Sequence, residues 1–292
     1  MMVVMGSANM DLVVQVERHP MPGETVFGDS LTSIAGGKGL NQAVACARAG
    51  GRVEFVGAVG SDEYGDQLLD VLRSEGIGVA GVRRVSGPTG TAHIRVDPAG
   101  QNSIVVVAGA NAQVGPEVTA AMPEGAGWLL TQLEVPLGAV QAALEWCRER
   151  QIKTVLTPAP VLPLDPELLG LVDLLVPNQF EACQLTGVND AELAAAKLSE
   201  LVTDVVVTLG AEGSVWASGG RVRHREPARE AQVVDTTAAG DTFLGVLVGR
   251  LSGGVEMPEA MRWAAAAAAI GVSRPGASAS MPTMAEVIAL LA

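Results

Sequence analysis

The sequence predicts an α/β fold: a three-layer α/β/α sandwich with a mostly parallel central sheet, plus a small β-sheet lid. Three observations carry this. Apolar runs of strand length alternate with segments of helical period, and two stretches break the alternation with β-type runs alone. The 292 residues, 48% of them hydrophobic, also suffice for a sizeable core.

Met2–Gly6 is an apolar run that reads as a first strand; it has no basic lead-in and is too soon interrupted for a signal peptide. Leu12–Ser33 holds a β-type run, Leu12–Val16, and a Pro22-Gly23 turn, with no helical period. Gly39–Ala49 then reads as a helix, Val53–Val59 as a strand and Tyr64–Ser74 as a helix. Thr89–Ala108 repeats the first interruption, with Ala92–Val96 and Ser103–Val107 around a Pro98-Ala99-Gly100 turn. Strands follow at Gly127–Gln132, Thr154–Thr157, Leu171–Val176 and Asp204–Thr208. Helices lie at Pro136–Arg150, Gln179–Thr186, Ala191–Leu201, Thr242–Leu251 and Pro258–Ser273, and the Arg221–Arg229 cluster falls in a hairpin with a solvated face. Such βα units place ligands at the carboxyl ends of the strands.

The two interruptions are alike in type and are expected to pair into one sheet. Residues 12–33 and 89–108 would then form a lid inserted into a body of residues 1–11, 34–88 and 109–292. Alternating apolar positions (Leu12, Val14, Val16; Ile94, Val96; Ile104, Val106) leave one lid face without a helix to bury it. A second lid related by a two-fold axis would cover that face, which predicts a homodimer.

Nineteen basic against 32 acidic residues give a formal charge of −13. That balance disfavours nucleic acid and anionic membrane surfaces as partners. The longest apolar run, Trp263–Val272, is mostly alanine and too short to span a bilayer. Cys46, Cys147 and Cys183 are far apart and form no CxxC pair, so a disulfide framework and a zinc site are disfavoured and a cytoplasmic setting fits. His19, His93 and His224 lack metal-ligand spacing and read as structural or surface residues.

Two motifs carry chemistry. In Val234–Phe243 the small residues Ala238, Ala239 and Gly240 precede a helix, whose free N–H groups suit an anion such as a phosphoryl group. Asp241 beside them reads either as a helix cap or as a general base for a hydroxyl proton. In Ala35–Ala43 (AGGKGLNQA) the glycines permit close backbone approach and Lys38 and Asn41 add donors. The spacing matches neither GxxxxGK[ST] nor GxGxxG. Taken alone it reads as readily as a structural turn as a binding loop; with Asn9 and Asp11, placed at the end of the first strand, it suits the vicinal hydroxyls of a sugar.

GGKGLNQA and DTTAAGDTF together resemble the two signatures of the ribokinase-like (PfkB) carbohydrate kinases. Pro177–Glu181 resembles the NxxE motif of that family and Val207–Gly213 its nucleotide loop. Further matches lie at Gly6–Asp11, Pro22–Val26, Ala108–Ala112, Gln132–Glu134, Thr157–Pro160 and Pro275–Ser280, so the likeness spans nearly the whole chain. The resemblance implies ATP-dependent transfer of a phosphoryl group to the 5-hydroxyl of D-ribose, with Mg²⁺ and K⁺. It implies Asp241 as base and Ala238, Ala239 and Gly240 as anion hole. Asn9, Asp11, Gly37, Lys38, Gly39, Asn41, Glu134 and Asp241 would bind the sugar. Asn178, Thr208, Leu209, Gly210, Ala211, Glu212, Gly213 and Gly240 would bind ATP. Asn178 and Glu181 would hold Mg²⁺ mainly through water, and Asp235, Thr237, Gly271, Arg274, Gly276 and Ser280 would hold K⁺.

Leu40, Gln179, Ala264–Ala266 and Pro275 depart from the common pattern, and the alanines leave the base selectivity open. Three other readings remain: a kinase for 2-deoxyribose, fructose or adenosine, a non-catalytic sugar- or nucleotide-binding regulator, and a dinucleotide-dependent oxidoreductase. The last is disfavoured by the missing GxGxxG.

Overall fold

In the computed structural model, which describes residues 1–292, the alternation resolves into two sheets. β1 (Met2–Met5) enters the main sheet, and β2 (Asn9–Val16) and β3 (Gly28–Gly36) pair in the second. α1 (Lys38–Arg48), β4 (Val53–Gly60), α2 (Glu63–Ser74) and β5 (Gly78–Val85) return to the main body, and β6 (Gly90–Val96) and β7 (Asn102–Val107) complete the second sheet. The chain continues through β8 (Trp128–Thr131), α3 (Leu137–Glu149), β9 (Lys153–Leu156), α4 (Pro166–Leu169), β10 (Leu174–Leu175), α5 (Gln179–Thr186) and α6 (Ala191–Leu198). It ends with β11 (Asp204–Thr208), β12 (Ser214–Ser218), β13 (Arg221–Glu226), α7 (Ala239–Ser252), α8 (Met257–Val272) and α9 (Met284–Leu291).

The main sheet has nine strands in the order β13-β12-β11-β10-β9-β8-β1-β4-β5, parallel except for the β12 and β13 hairpin. All four β1 residues are buried, as a central parallel strand covered on both faces requires. Alternation sends Met2 and Val4 into the core with α1, α7 and α8, and Val3 and Met5 into the opposite core with α3 and α6. The result is three layers. α1 and α7 pack closely because position 245 is glycine: a Cβ there would stand 2.4 Å from that of Ala45. Their contact matters because each helix begins with one of the two chemical motifs.

The second sheet has the order β3-β2-β6-β7. Two expectations need correction. Asn9 and Asp11 do not end β1; they lie on β2, because pairing with β3 runs unbroken from Asn9↔Gly36 through Asp11↔Ile34. Residues 9–11 and 34–36, assigned to the body, are therefore lid strand. The apolar lid residues also divide differently: Asp11 pairs with Ala92, Val13 with Ile94, and Ile94 with Ile104. Since strand neighbours point to opposite faces, Val13, Ile94, Ile104 and Val106 share the Asp11 face, whereas Leu12 and Val14 lie on the other.

Several elements were illegible. β3 is rich in Gly, Ser and Thr, and β5 is an edge strand whose glycines and arginines mask its pattern. α9 carries a Thr283–Glu286 capping box that was its readable signal. Leu171–Val176 narrows to Leu174–Leu175, because Leu171 and Val172 close a turn after α4.

Candidate active site

The N-termini of α1 and α7 meet over the carboxyl ends of the strands. Asp241, in the first turn of α7, accepts from Gln42 Nε2 at 2.8 Å and from Asn41 Nδ2 at 3.2 Å. The α1 end is shaped by Gly37, whose φ of 89° is a left-handed conformation that glycine adopts without strain. A Cβ there would also lie 2.8 Å from the Asn9 nitrogen, so the turn sits directly on the lid strand. At the α7 end Ala238 holds φ 56°, uncommon for a residue with a side chain. This turn leaves the N–H groups of Ala238, Gly240 and Asp241 without partners in the chain, while the Ala239 N–H is turned to Thr236 O at 3.2 Å.

At the α1 turn, Glu134 follows β8 and accepts from Ser7 Oγ at 2.5 Å and from the Lys38 N–H at 3.1 Å. Asn9 is oriented by Asn111, whose Nδ2 donates to Asn9 Oδ1 at 2.7 Å and whose Oδ1 accepts from Ala8 N. Asn41 Oδ1 is buried without a partner, which leaves an acceptor for a hydroxyl donor. Gly39 lies under this turn, and its N–H is 3.4 Å from Ser7 Oγ.

The charges are concentrated. Burial pushes Asp11 up to about 7, with Glu134 and Asp241 adding to the rise. Burial also raises Asp241, against the opposing pull of Lys38, Gln42 and Asn41. Burial alone would lower Lys38, but Asp241, Glu134 and Glu181 outweigh it and hold the ammonium above its ordinary value. Glu181 is raised by burial, resisted by the Asn178 N–H and Lys38. A carboxylate raised toward neutrality but still held by a cation suits proton acceptance.

Two cavities adjoin at the α7 N-terminus. A polar one of about 210 Å³ is lined by Lys38, Gln42, Asn178, Glu181, Ala238, Ala239, Gly240 and Asp241. A larger one of about 520 Å³ is lined by Thr208, Gly210, Ala211, Gly213, Phe243, Ala265, Ala268 and Ala269 among others. Thr208, Thr236, Ala239 and Gly240 belong to both, so the two spaces are continuous. Leu209 and Glu212, expected at the nucleotide, line neither; Leu209 packs against the core instead. Of Ala264–Ala266 only Ala265 faces the larger cavity. Arg229, expected on a solvated face, lines it too, and its Nε is buried without a partner.

Asn178 and Glu181 form a reciprocal capping box on α5, with 2.8 and 2.9 Å bonds. Asp235 accepts from the Thr237 N–H at 2.8 Å and the Gly276 N–H at 2.9 Å. Burial would raise its carboxyl, but those bonds outweigh burial and hold it below the ordinary value. Arg274 turns its guanidinium to Glu286 at 2.5 Å, and Gly271 O accepts from the Arg274 N–H. Ser280 is buried and donates to Ala277 O.

The sequence motifs assign no role to Ser7, Gln42, Asn111 and Gln132. Their signal was present, since each falls inside a quoted motif, but their work depends on contacts more than 89 positions away. His93 and His224 find local partners in Thr91 and Glu226, and His19 lies 3.8 Å from Asp97 of the neighbouring insertion. Burial drives the Cys46 and Cys147 thiols up to about 12, which fits inert packing residues.

A convergence of sugar-type donors, a helix N-terminus and a buried carboxylate defines a phosphotransferase site, and comparison agrees. Residues 1–284 match the pfkB family of carbohydrate kinases, and the chain belongs to that family. It is an enzyme that transfers a phosphoryl group to a sugar hydroxyl. The ribokinase of Haemophilus influenzae is 40% identical, aligned over 99% of this chain and 98% of that one. That of Schizosaccharomyces pombe is 36% identical over 98% and 96%. Among solved structures, Arabidopsis thaliana ribokinase complexed with ribose and ATP superposes with a TM-score of 0.91 at 35% identity, covering 99% of this chain and 98% of that one. No helix here is long and apolar enough to cross a membrane.

Proposed function

We propose that this chain is an ATP-dependent ribokinase that converts D-ribose to ribose 5-phosphate. The observation that carries the reading is Asp241 between two donors of α1, beside the free N–H groups that open α7. Asn9, Asp11, Gly37, Lys38, Gly39, Asn41 and Glu134 hold the sugar hydroxyls beneath the second sheet. ATP lies across the two cavities, its base in the apolar one and its phosphates in the polar one. Asp241 accepts the 5-hydroxyl proton as that oxygen attacks the γ-phosphorus in line, and ADP leaves. Ala238, Gly240 and Asp241 N–H groups face the charge that develops on the transferred group. Ala239 contributes chiefly to the turn.

The polar cavity fits a hydrated Mg²⁺: one Glu181 oxygen lies outside the capping box and Asn178 Oδ1 keeps a second lone pair, and both can accept from water on the ion. When bound, the ion would neutralise phosphate charge. The loop around Asp235 fits K⁺, since a carboxylate held ionised, the Thr237 and Ser280 hydroxyls and loop carbonyls are all oxygen donors. Arg274 would supply only its carbonyl, as would Gly271 and Gly276. Ribose, 2-deoxyribose, fructose and adenosine are to be compared in a coupled ADP-release assay. Ribose is expected to give the highest kcat/KM, and activity to be greater in K⁺ than in Na⁺ of equal ionic strength. Equal rates in K⁺-free buffer would remove the cation site, and preference for another acceptor would replace ribose.

The same reading includes a cytoplasmic homodimer joined through the lids. Ile104 and Val106, 52% and 54% exposed, lie on the Asp11 face with no helix over them. Light scattering at micromolar concentration should report about twice 29.9 kDa. A monomer mass, unchanged by ribose or dilution, would exclude the lid dimer.

A further inference from the structure

Asp241 has a supporting chain behind it. Gln132, at the end of β8, donates Nε2–H to Gln42 Oε1 at 2.7 Å, and Gln42 donates Nε2–H to Asp241 Oδ1 at 2.8 Å. Gln42 and Gln132 are 1% and 0% exposed, so neither bond competes with bulk water. The polarity of the chain follows from its end: an ionised carboxylate only accepts, so Gln42 must present its amide N–H₂ to Asp241. Its carbonyl oxygen then faces Gln132, which must in turn present its own N–H₂. Turning either amide over would set oxygen against oxygen or donor against donor in a buried site, at the cost of an unmade hydrogen bond.

We propose that Gln42 and Gln132 are positioning residues for phosphoryl transfer: Gln132 fixes the sense of the Gln42 amide, and Gln42 holds Asp241 ionised and aimed. Neither touches the substrate. The proposal rests on the reading of Asp241 as the base. The second Asp241 oxygen is held by Asn41 at a longer 3.2 Å, and Asn41 has a sugar-side acceptor left over. The glutamine arm is thus the part of the cradle with no other duty. Charged groups around Asp241 come from every side: Lys38 on α1, Glu134 after β8, Asp11 on β2 and Glu181 on α5. Lys38 favours the ionised form and the three carboxylates oppose it. A donated N–H from a neutral amide tips that balance toward the anion without adding charge that would repel or trap a phosphate.

The sequential arrangement makes a sharp prediction. Gln42→Met and Gln132→Met keep side-chain length but cannot donate. Each should lower kcat, roughly 10-fold or more for Gln42→Met, and move the acid limb of the kcat–pH profile up by about one unit. ATP and ribose KM should change far less than kcat. Because Gln132 acts only through Gln42, the double variant should be no slower than Gln42→Met alone. Multiplying losses would mean two independent packing defects and would overturn the relay. Should Gln42→Met fail to fold, Gln132→Met decides by itself, since a wild-type kcat and acid limb would equally overturn it. Asp241→Asn, run alongside, separates the two claims. If Asp241→Asn retains turnover, the base assignment fails; if it is inactive while the glutamine variants behave as wild type, only the relay fails.

Discussion

Asp241→Asn is expected to lose turnover by about 10²–10⁴-fold while still binding ATP and ribose, since only proton acceptance is removed. The local structure tolerates the change. Gln42 can still donate to the remaining oxygen, and Asn41, whose Oδ1 has no partner, can turn its amide to accept from the new N–H₂. Single-turnover kinetics with ATP and ribose, together with equilibrium ATP binding, separate chemistry from affinity. The N-cap of α7 is Ala238, so Asp241 is not the helix cap that the sequence also allowed, and a variant that keeps wild-type kcat would show that Asp241 only ties α7 to α1.

Asp11→Asn is expected to raise the ribose KM about 10- to 100-fold, the effect of losing a charge-assisted hydrogen bond to a hydroxyl. It should also stabilise the sugar-free protein at alkaline pH. Asp11 is pushed up to about 7 in the folded chain, chiefly by burial and then by Glu134 and Asp241. An unfolded aspartate titrates near 3.8. Between these values the folded state holds a proton that the unfolded state has released, so stability falls as pH rises through that window. Asparagine cannot ionise and escapes the loss. The variant should therefore unfold at a higher temperature than wild type at pH 8, and the two should converge near pH 4. The difference is on the order of 2 kcal/mol once water at the open side of the pocket is allowed for. An unchanged KM would take Asp11 out of the sugar site. Parallel melting curves at both pH values would show that its carboxyl is not under strain.

Much of this molecule is local in origin, and that part was readable. The main-sheet strands at Val53–Gly60 and Asp204–Thr208 are short valine-rich runs, and α2, α3 and α8 carry helical periods nearly end to end. Both chemical motifs stand at helix starts because small residues there free backbone N–H groups. No distant contact is needed to produce that arrangement. The sequence by itself thus determined the layered α/β class, the existence of a second small sheet, and the two motifs that the fold brings together at the α1 and α7 N-termini.

Other features depend on which distant segments meet, and only the tertiary structure decided them. Asn9 and Asp11 moved from a strand end to the lid because β2 found β3, whose Gly-Ser-Thr pattern carries no apolar signal of its own. Alternation along β2 was visible, but the face it shares with β6 depended on register, and one residue of slip would exchange the faces. Arg229 reads as surface in the sequence, but the turn after β13 folds it against the larger cavity. Gln42, Gln132 and Asp241 span 199 positions from the first to the last in the chain, yet form one line of hydrogen bonds. Hydrogen-bond partners are chosen by position in space, within about 3 Å, and a one-dimensional pattern records only which residues could donate or accept.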